Sequence, residues 1–151
     1  MPLQEKDTYQ EKDDSSRINP FVRVREDHAN ELSEDYLELI EDLIDRTGEA
    51  RTVDIAAKLG VRQATVTKAI ARLKREGLVT AAPYRSIFLT NEGKKIASRA
   101  REHHRTVLEF LIALGVQQEV AEIDAEGIEH HLSPATLAAM QRFIQQQPAA
   151  A

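Results

Sequence analysis

The sequence predicts a mostly α-helical protein in which a winged helix-turn-helix is followed by a further α-helical domain, on three observations. Apolar residues recur at helical spacing through most of the 151 positions. Two short amphipathic runs meet at Gly60. After Gly77, the stretch LVTAAPYRSIFLT abandons the helical period and alternates apolar with polar residues.

Each element follows from its own pattern. Residues 1–30 are polar and charge-mixed and offer little to a core, so they are expected to be a largely disordered extension, with helix able to begin after Pro20. From Ser33, a candidate N-cap, SEDYLELIEDLIDRTGEA sets Tyr36, Leu37, Ile40, Leu43 and Ile44 on one helical face, and Gly48 ends the run. Ile55, Ala56 and Leu59 line a short helix, Gly60 permits a tight turn, and Val66, Ile70 and Leu73 line the next helix at i, i+4 and i+7. Two short helices about a glycine turn form a helix-turn-helix, and a hairpin about Arg85-Ser86 in the next segment is its wing.

From Thr90 one long helix is expected, with Ile96, Ala100, Val107, Leu111 and Leu114 as its stripe and His103-His104 interrupting it on the buried side. QQEVAEIDAEGIEHHL reads as another helix, and Ser133-Pro134 as the cap and first position of a final one ending near Gln147. The domain boundaries predicted are 31–101 for the winged unit, 102–147 for the helical unit and 148–151 for a flexible tail.

Charge points to a partner. Residues 46–101 carry thirteen Lys/Arg against four Asp/Glu, while the whole chain is at −5, so a basic centre lies between acidic flanks. That patch fits double-stranded DNA. On the second short helix Arg62, Gln63, Thr65, Thr67 and Lys68 lie at or near the N-terminal end, where a recognition helix meets base edges; Arg72, Lys74, Arg75 and the wing's Arg85 suit phosphates. A signal peptide and an apolar run of the roughly 20 residues needed to span a bilayer are both lacking, which predicts a cytoplasmic chain with no membrane partner. Zero cysteines leave only oxygen and imidazole nitrogen to hold a metal.

EGIEHHLS, residues 126–133, is the densest cluster of such donors. On a helix Glu126, Glu129 and His130 share a face at i, i+3 and i+4, with His131 about 100° further round. Gly127 inside that helix costs about 1 kcal/mol relative to Ala, a cost that close approach by a backbone or an ion would justify. Asp35 and Glu38, at i and i+3 on the first helix, form a second pair, and His103 or His104 is a further candidate. Spacing alone leaves open whether these groups bind metal or are merely solvated helix faces.

The run from about Glu31 to Phe143 resembles the manganese-responsive transcription regulators, the two-domain branch of the diphtheria toxin repressor family without the C-terminal SH3-like domain. The likeness is carried by EDYLELI, DIAAKLGVRQATVTKAIARL, YRSIFLTNEGKK, HRTVLEFL and, most specifically, DAEGIEHHLS. It implies a DNA-binding domain followed by a metal-binding and dimerisation domain, and a ligand set of Asp35, Glu38, His104, Glu126, Glu129 and His130. The iron-responsive branch has methionine and cysteine where this chain has Asp35 and Glu129, which favours Mn²⁺, two ions per subunit, with Fe²⁺ and other divalent ions able to bind in vitro.

The function so implied is a non-enzymatic, manganese-dependent regulator, mainly a repressor, serving manganese homeostasis as a homodimer on operator DNA. Metal held between its two domains would favour the operator-binding conformation. Val120, Ile123, Leu137, Met140 and Phe143 are the expected dimer contact, unless those stripes pack within one chain. The alternatives are a winged-helix regulator answering iron or a small organic ligand, and a metallohydrolase using a glutamate beside ligated histidines.

Overall fold

A computed structural model describes residues 19–148. It contains α1 (Pro20–Thr47), α2 (Thr52–Leu59), α3 (Gln63–Arg75), β1 (Val79–Thr80), β2 (Phe88–Leu89), α4 (Asn91–Ala113), α5 (Gln118–Ile128), a 3₁₀ turn (Glu129–His131) and α6 (Pro134–Gln146). The described residues fall into two compact units, 32–98 in the first and 19–31 with 99–148 in the second.

The first unit is the winged helix-turn-helix. Its core gathers Leu37, Ile40, Ile55, Val66, Ile70, Leu73, Leu78, Val79, Ile87 and Ile96, which include the predicted stripes of α1 and α3. Gly60 is left-handed, at φ 67°, and the N–H of Val61 reaches back to the carbonyl of Ala56 at 3.1 Å, which closes α2 and turns the chain into α3. The wing is minimal. β1 and β2 pair antiparallel through Val79 with Leu89 and Thr80 with Phe88, and the loop between them carries Tyr84 at φ 59°. Its base is tied down by Ile87 N–H to Ala50 O at 2.8 Å and Ala50 N–H to Ser86 Oγ at 2.8 Å. Gly93 in the first turn of α4 lies so close to β1 that a Cβ there would stand 2.1 Å from the carbonyl oxygen of Leu78. Only glycine fits.

Two expectations for α1 need correction. The helix starts at Pro20 instead of Ser33, with Asn19 Oδ1 capping the N–H groups of Phe21 at 3.0 Å and Val22 at 3.4 Å. Ser33 is buried mid-helix, where its hydroxyl accepts from Arg72 Nη2 at 3.2 Å. Residues 20–30 are helical, as the expectation of helix after Pro20 allowed, but Asp27 and Asn30 are buried where little was expected to join a core. Buried polar residues carry no hydrophobic signal, so composition alone hid this packing. The rest of the extension and residues 149–151 lie outside the described residues.

In the second unit Val107, Ala125 and Leu137 are buried, flanked by Leu108, Leu111, Leu132 and Met140. Phe110 and Phe143 meet edge to face, centroids 5.3 Å apart. Of the residues expected at a dimer contact, Leu137 and Met140 thus pack within the chain, whereas Val120 and Ile123 remain exposed. Ser133 Oγ accepts from Thr136 N–H at 3.2 Å with Pro134 at the first position, the predicted cap of α6. The α5 helix stops at Ile128, so Glu129 and His130 stand on a 3₁₀ turn instead of the continuous helix expected. A Cβ on Gly127 would meet no described atom within 4 Å, so close backbone approach is not what places glycine there.

Candidate metal centre and nucleic-acid interface

The 3₁₀ turn is what gathers the donors of the second unit. With about three residues per turn it carries Glu129 and His130 inward, where they are 2% and 1% exposed. The two carboxylate oxygens of Glu129 are shared between two imidazoles: Oε2 lies 2.5 Å from His104 Nδ1, and Oε1 lies 3.2 Å from His130 Nε2. Glu126, one turn earlier and largely exposed, brings Oε1 within 3.6 Å of the same His104 nitrogen. Donor atoms of His104, Glu126 and Glu129 all fall within 4.8 Å of one another. Of the two adjacent histidines on α4, His104 is the one that meets Glu129.

A buried carboxylate is costly unless its charge is matched by close partners. Here the partners are imidazole nitrogens, which donate to a carboxylate or bind a cation, and the exposed edge at Glu126 leaves a way in. The donor set is oxygen and nitrogen only, suited to a hard or borderline divalent ion. Asp35 and Glu38 belong to the first unit, partly buried and at i, i+3 on α1.

In the first unit the exposed residues of the helix-turn-helix include Arg62, Gln63, Thr65, Thr67 and Lys68, at and just inside the N-terminus of α3. Val66, Ile70 and Leu73 hold the opposite face in the core, so this surface is fixed by packing. Arg75 and Arg85 are also exposed. Arg72, expected at phosphates, is only partly exposed; it donates to Ser33, which ties α3 to α1, and its Nε lies 3.8 Å from Glu76 Oε1. Burial pushes the Tyr36 phenol above its ordinary pKa, with the charge of Arg72 pulling the other way. Lys74 donates to the carbonyl of Ala81 at 2.9 Å, which braces the wing. Sequence reasoning passed over Tyr84, whose ring is 98% exposed in the loop joining β1 and β2. A Pro-Tyr pair in a predicted loop was the available signal.

Fold and site together define a winged helix-turn-helix chain joined to a helical unit with a carboxylate and imidazole centre. Residues 29–87 match the model of the iron dependent repressor N-terminal DNA binding domain, and residues 90–148 match that of the iron dependent repressor metal binding and dimerisation domain. The transcriptional regulator MntR of Escherichia coli O157:H7 is 50% identical over 136 residues, covering 90% of this chain and 88% of that protein. The HTH-type transcriptional regulator MntR of Bacillus subtilis is 43% identical over 100 residues, 66% of this chain and 70% of that protein. Among solved structures, a manganese-dependent transcriptional repressor in complex with manganese superposes with a TM-score of 0.67 at 26% identity, over 76% of this chain and 53% of that one. The manganese regulator SloR gives 0.66 at 28% identity, over 76% of this chain and 54% of that one. The chain therefore spans about half the length of those two structures. It belongs to the iron-dependent repressor family.

Proposed function

We propose that this chain is a manganese-dependent, DNA-binding transcriptional regulator, mainly a repressor, that binds operator DNA as a homodimer in the service of manganese homeostasis. The observation that carries the reading is the Glu129 carboxylate, 2% exposed, held between His104 and His130 with Glu126 beside it. Half identity to a transcriptional regulator over 90% of the chain supports the same reading.

Bound there, a divalent cation supplies the positive charge that lets several carboxylates share one place. The residues do the rest. Glu129 provides a buried anionic donor; His104, on α4, and His130, on the 3₁₀ turn, provide nitrogen donors from two elements. The ligand set we propose adds Asp35 and Glu38, on the strength of the family resemblance, and holds two ions. Because those two carboxylates precede the helix-turn-helix and the other four donors follow it, a shared centre would restrict where the recognition helix can sit. Such restriction is a differential stabilisation of one conformation. Arg62, Gln63, Thr65, Thr67 and Lys68 then read base edges, while Arg75, Arg85 and the Tyr84 hydroxyl hold phosphates. The exposed Val120 and Ile123, with Leu114 and Ile128, form the apolar surface offered to a second copy.

Fluorescence anisotropy tests the proposal. Chelator-stripped protein is titrated onto a labelled duplex, selected from a random pool in Mn²⁺, with Mn²⁺, Fe²⁺ or Zn²⁺ restored in turn. Tightest binding with Mn²⁺ is expected. Equal affinity with and without any ion would reject the metal switch, and a preference for Fe²⁺ would reject the manganese assignment.

A further inference from the structure

Two residues of α1 that precede the first unit, and one that follows Glu129 and His130, converge in the second unit without any role so far. Asp27 and Glu31 stand one turn apart on α1 and face one imidazole, that of His131. Asp27 Oδ2 lies 3.8 Å from His131 Nδ1, and Glu31 Oε2 lies 3.5 Å from His131 Nε2. Each ring nitrogen is thus opposed by its own carboxylate. Asp27 is 2% exposed, and Arg23 Nε approaches the same oxygen at 3.7 Å; His28 Nδ1 lies 3.5 Å from Glu31 Oε2.

His131 is the last residue of the 3₁₀ turn whose first two residues are Glu129 and His130. In a turn this short, fixing one ring against a helix fixes the backbone that aims the other two side chains. We propose that Asp27 and Glu31 are positioning residues for the metal centre, clamping His131 so that Glu129 and His130 are held in ligand geometry before an ion arrives. This gives the N-terminal turns of α1 a function in metal binding, although none of the six proposed ligands lies in them. Outer groups that orient ligands in this way are commonly worth 10–100-fold in metal affinity. The inference rests on the functional reading above.

The test uses the full chain, stripped with chelator, and Mn²⁺ alone as probe. Isothermal titration gives Mn²⁺ affinity, electron paramagnetic resonance gives the symmetry of the bound ion, and thermal unfolding in chelator gives the stability of the metal-free protein. His131→Gln, Glu31→Gln and Asp27→Asn are each expected to weaken Mn²⁺ binding about tenfold or more and to alter the resonance spectrum. The double variant Asp27→Asn/His131→Gln should be no weaker than the worse single variant, since both break one clamp. His131 is about one-third exposed, so its variant remains informative if Asp27→Asn does not fold. Unchanged Mn²⁺ affinity and spectrum in His131→Gln, with the wild type binding Mn²⁺, would overturn the clamp alone. A loss of affinity explained wholly by a lower melting temperature would also overturn it. A wild type that binds no Mn²⁺ would instead reject the functional reading, and the clamp with it.

Discussion

Replacing Glu129 with glutamine keeps the side chain's size and removes only its charge. In the metal-free protein the change loses a charge-assisted hydrogen bond to His104 at 2.5 Å and a close approach to His130 Nε2 at 3.2 Å. A hydrogen bond to a charged group is worth about 1.5–3 kcal/mol. The same substitution relieves the desolvation of a buried carboxylate, so the net change in the metal-free protein should stay within about 2 kcal/mol. The effect on metal binding is larger. Outer groups around a metal contribute up to about 100-fold, so losing an anionic ligand should cost at least that, or about 2.7 kcal/mol. At a Mn²⁺ concentration 1,000 times the wild-type Kd, bound ion stabilises the fold by about 4.1 kcal/mol; a 100-fold weaker site gains only about 1.4 kcal/mol. For a chain of this size the difference corresponds to roughly 5–10 °C of Mn²⁺-induced rise in Tm. Thermal unfolding with and without Mn²⁺ reads it directly. An undiminished rise in Glu129→Gln would refute the ligand assignment.

The remaining expectations concern α3 and the wing. Gln63→Ala and Thr65→Ala should change which duplexes are preferred in a selection, while Arg85→Ala should weaken binding to all of them and lower the salt slope by about 1; unaltered preference in the first two would remove α3 as the reader. Arg72→Ala should destabilise the fold by about 1–3 kcal/mol in denaturant titration and leave base preference as it was, because the guanidinium donates to Ser33 and lies beside Glu76. The same variant removes a positive charge that lowers the Tyr36 pKa, so phenolate absorbance should appear at higher pH than in the wild type.

Much of this molecule is legible from periodicity. The stripes Val66, Ile70, Leu73 and Ile55, Ala56 gave the helix-turn-helix because burial follows the helical period, and Gly60 marked the turn because only a left-handed residue closes it. The donors at His104, Glu126 and Glu129 do come together, but spacing on an ideal helix could not foresee the change to a 3₁₀ turn at Glu129. What escaped was polar burial. Ser33 has the pattern of a cap and is a partner of Arg72; Asp27 lies in a stretch with the composition of a solvated tail and is buried. A polar residue's burial depends on a partner far away in sequence, and no local pattern records it. Gly93 escaped for the same reason, since its neighbour Leu78 approaches from another element.

Manganese at the Glu129 cluster is the central element of the proposed function. The most direct measurement is anomalous X-ray diffraction at the manganese absorption edge from crystals grown with Mn²⁺. An anomalous peak bonded to Glu129 is expected, with His104, His130 and Glu126 completing its surroundings. A peak elsewhere, with Glu129 still hydrogen-bonded to His104, would contradict it.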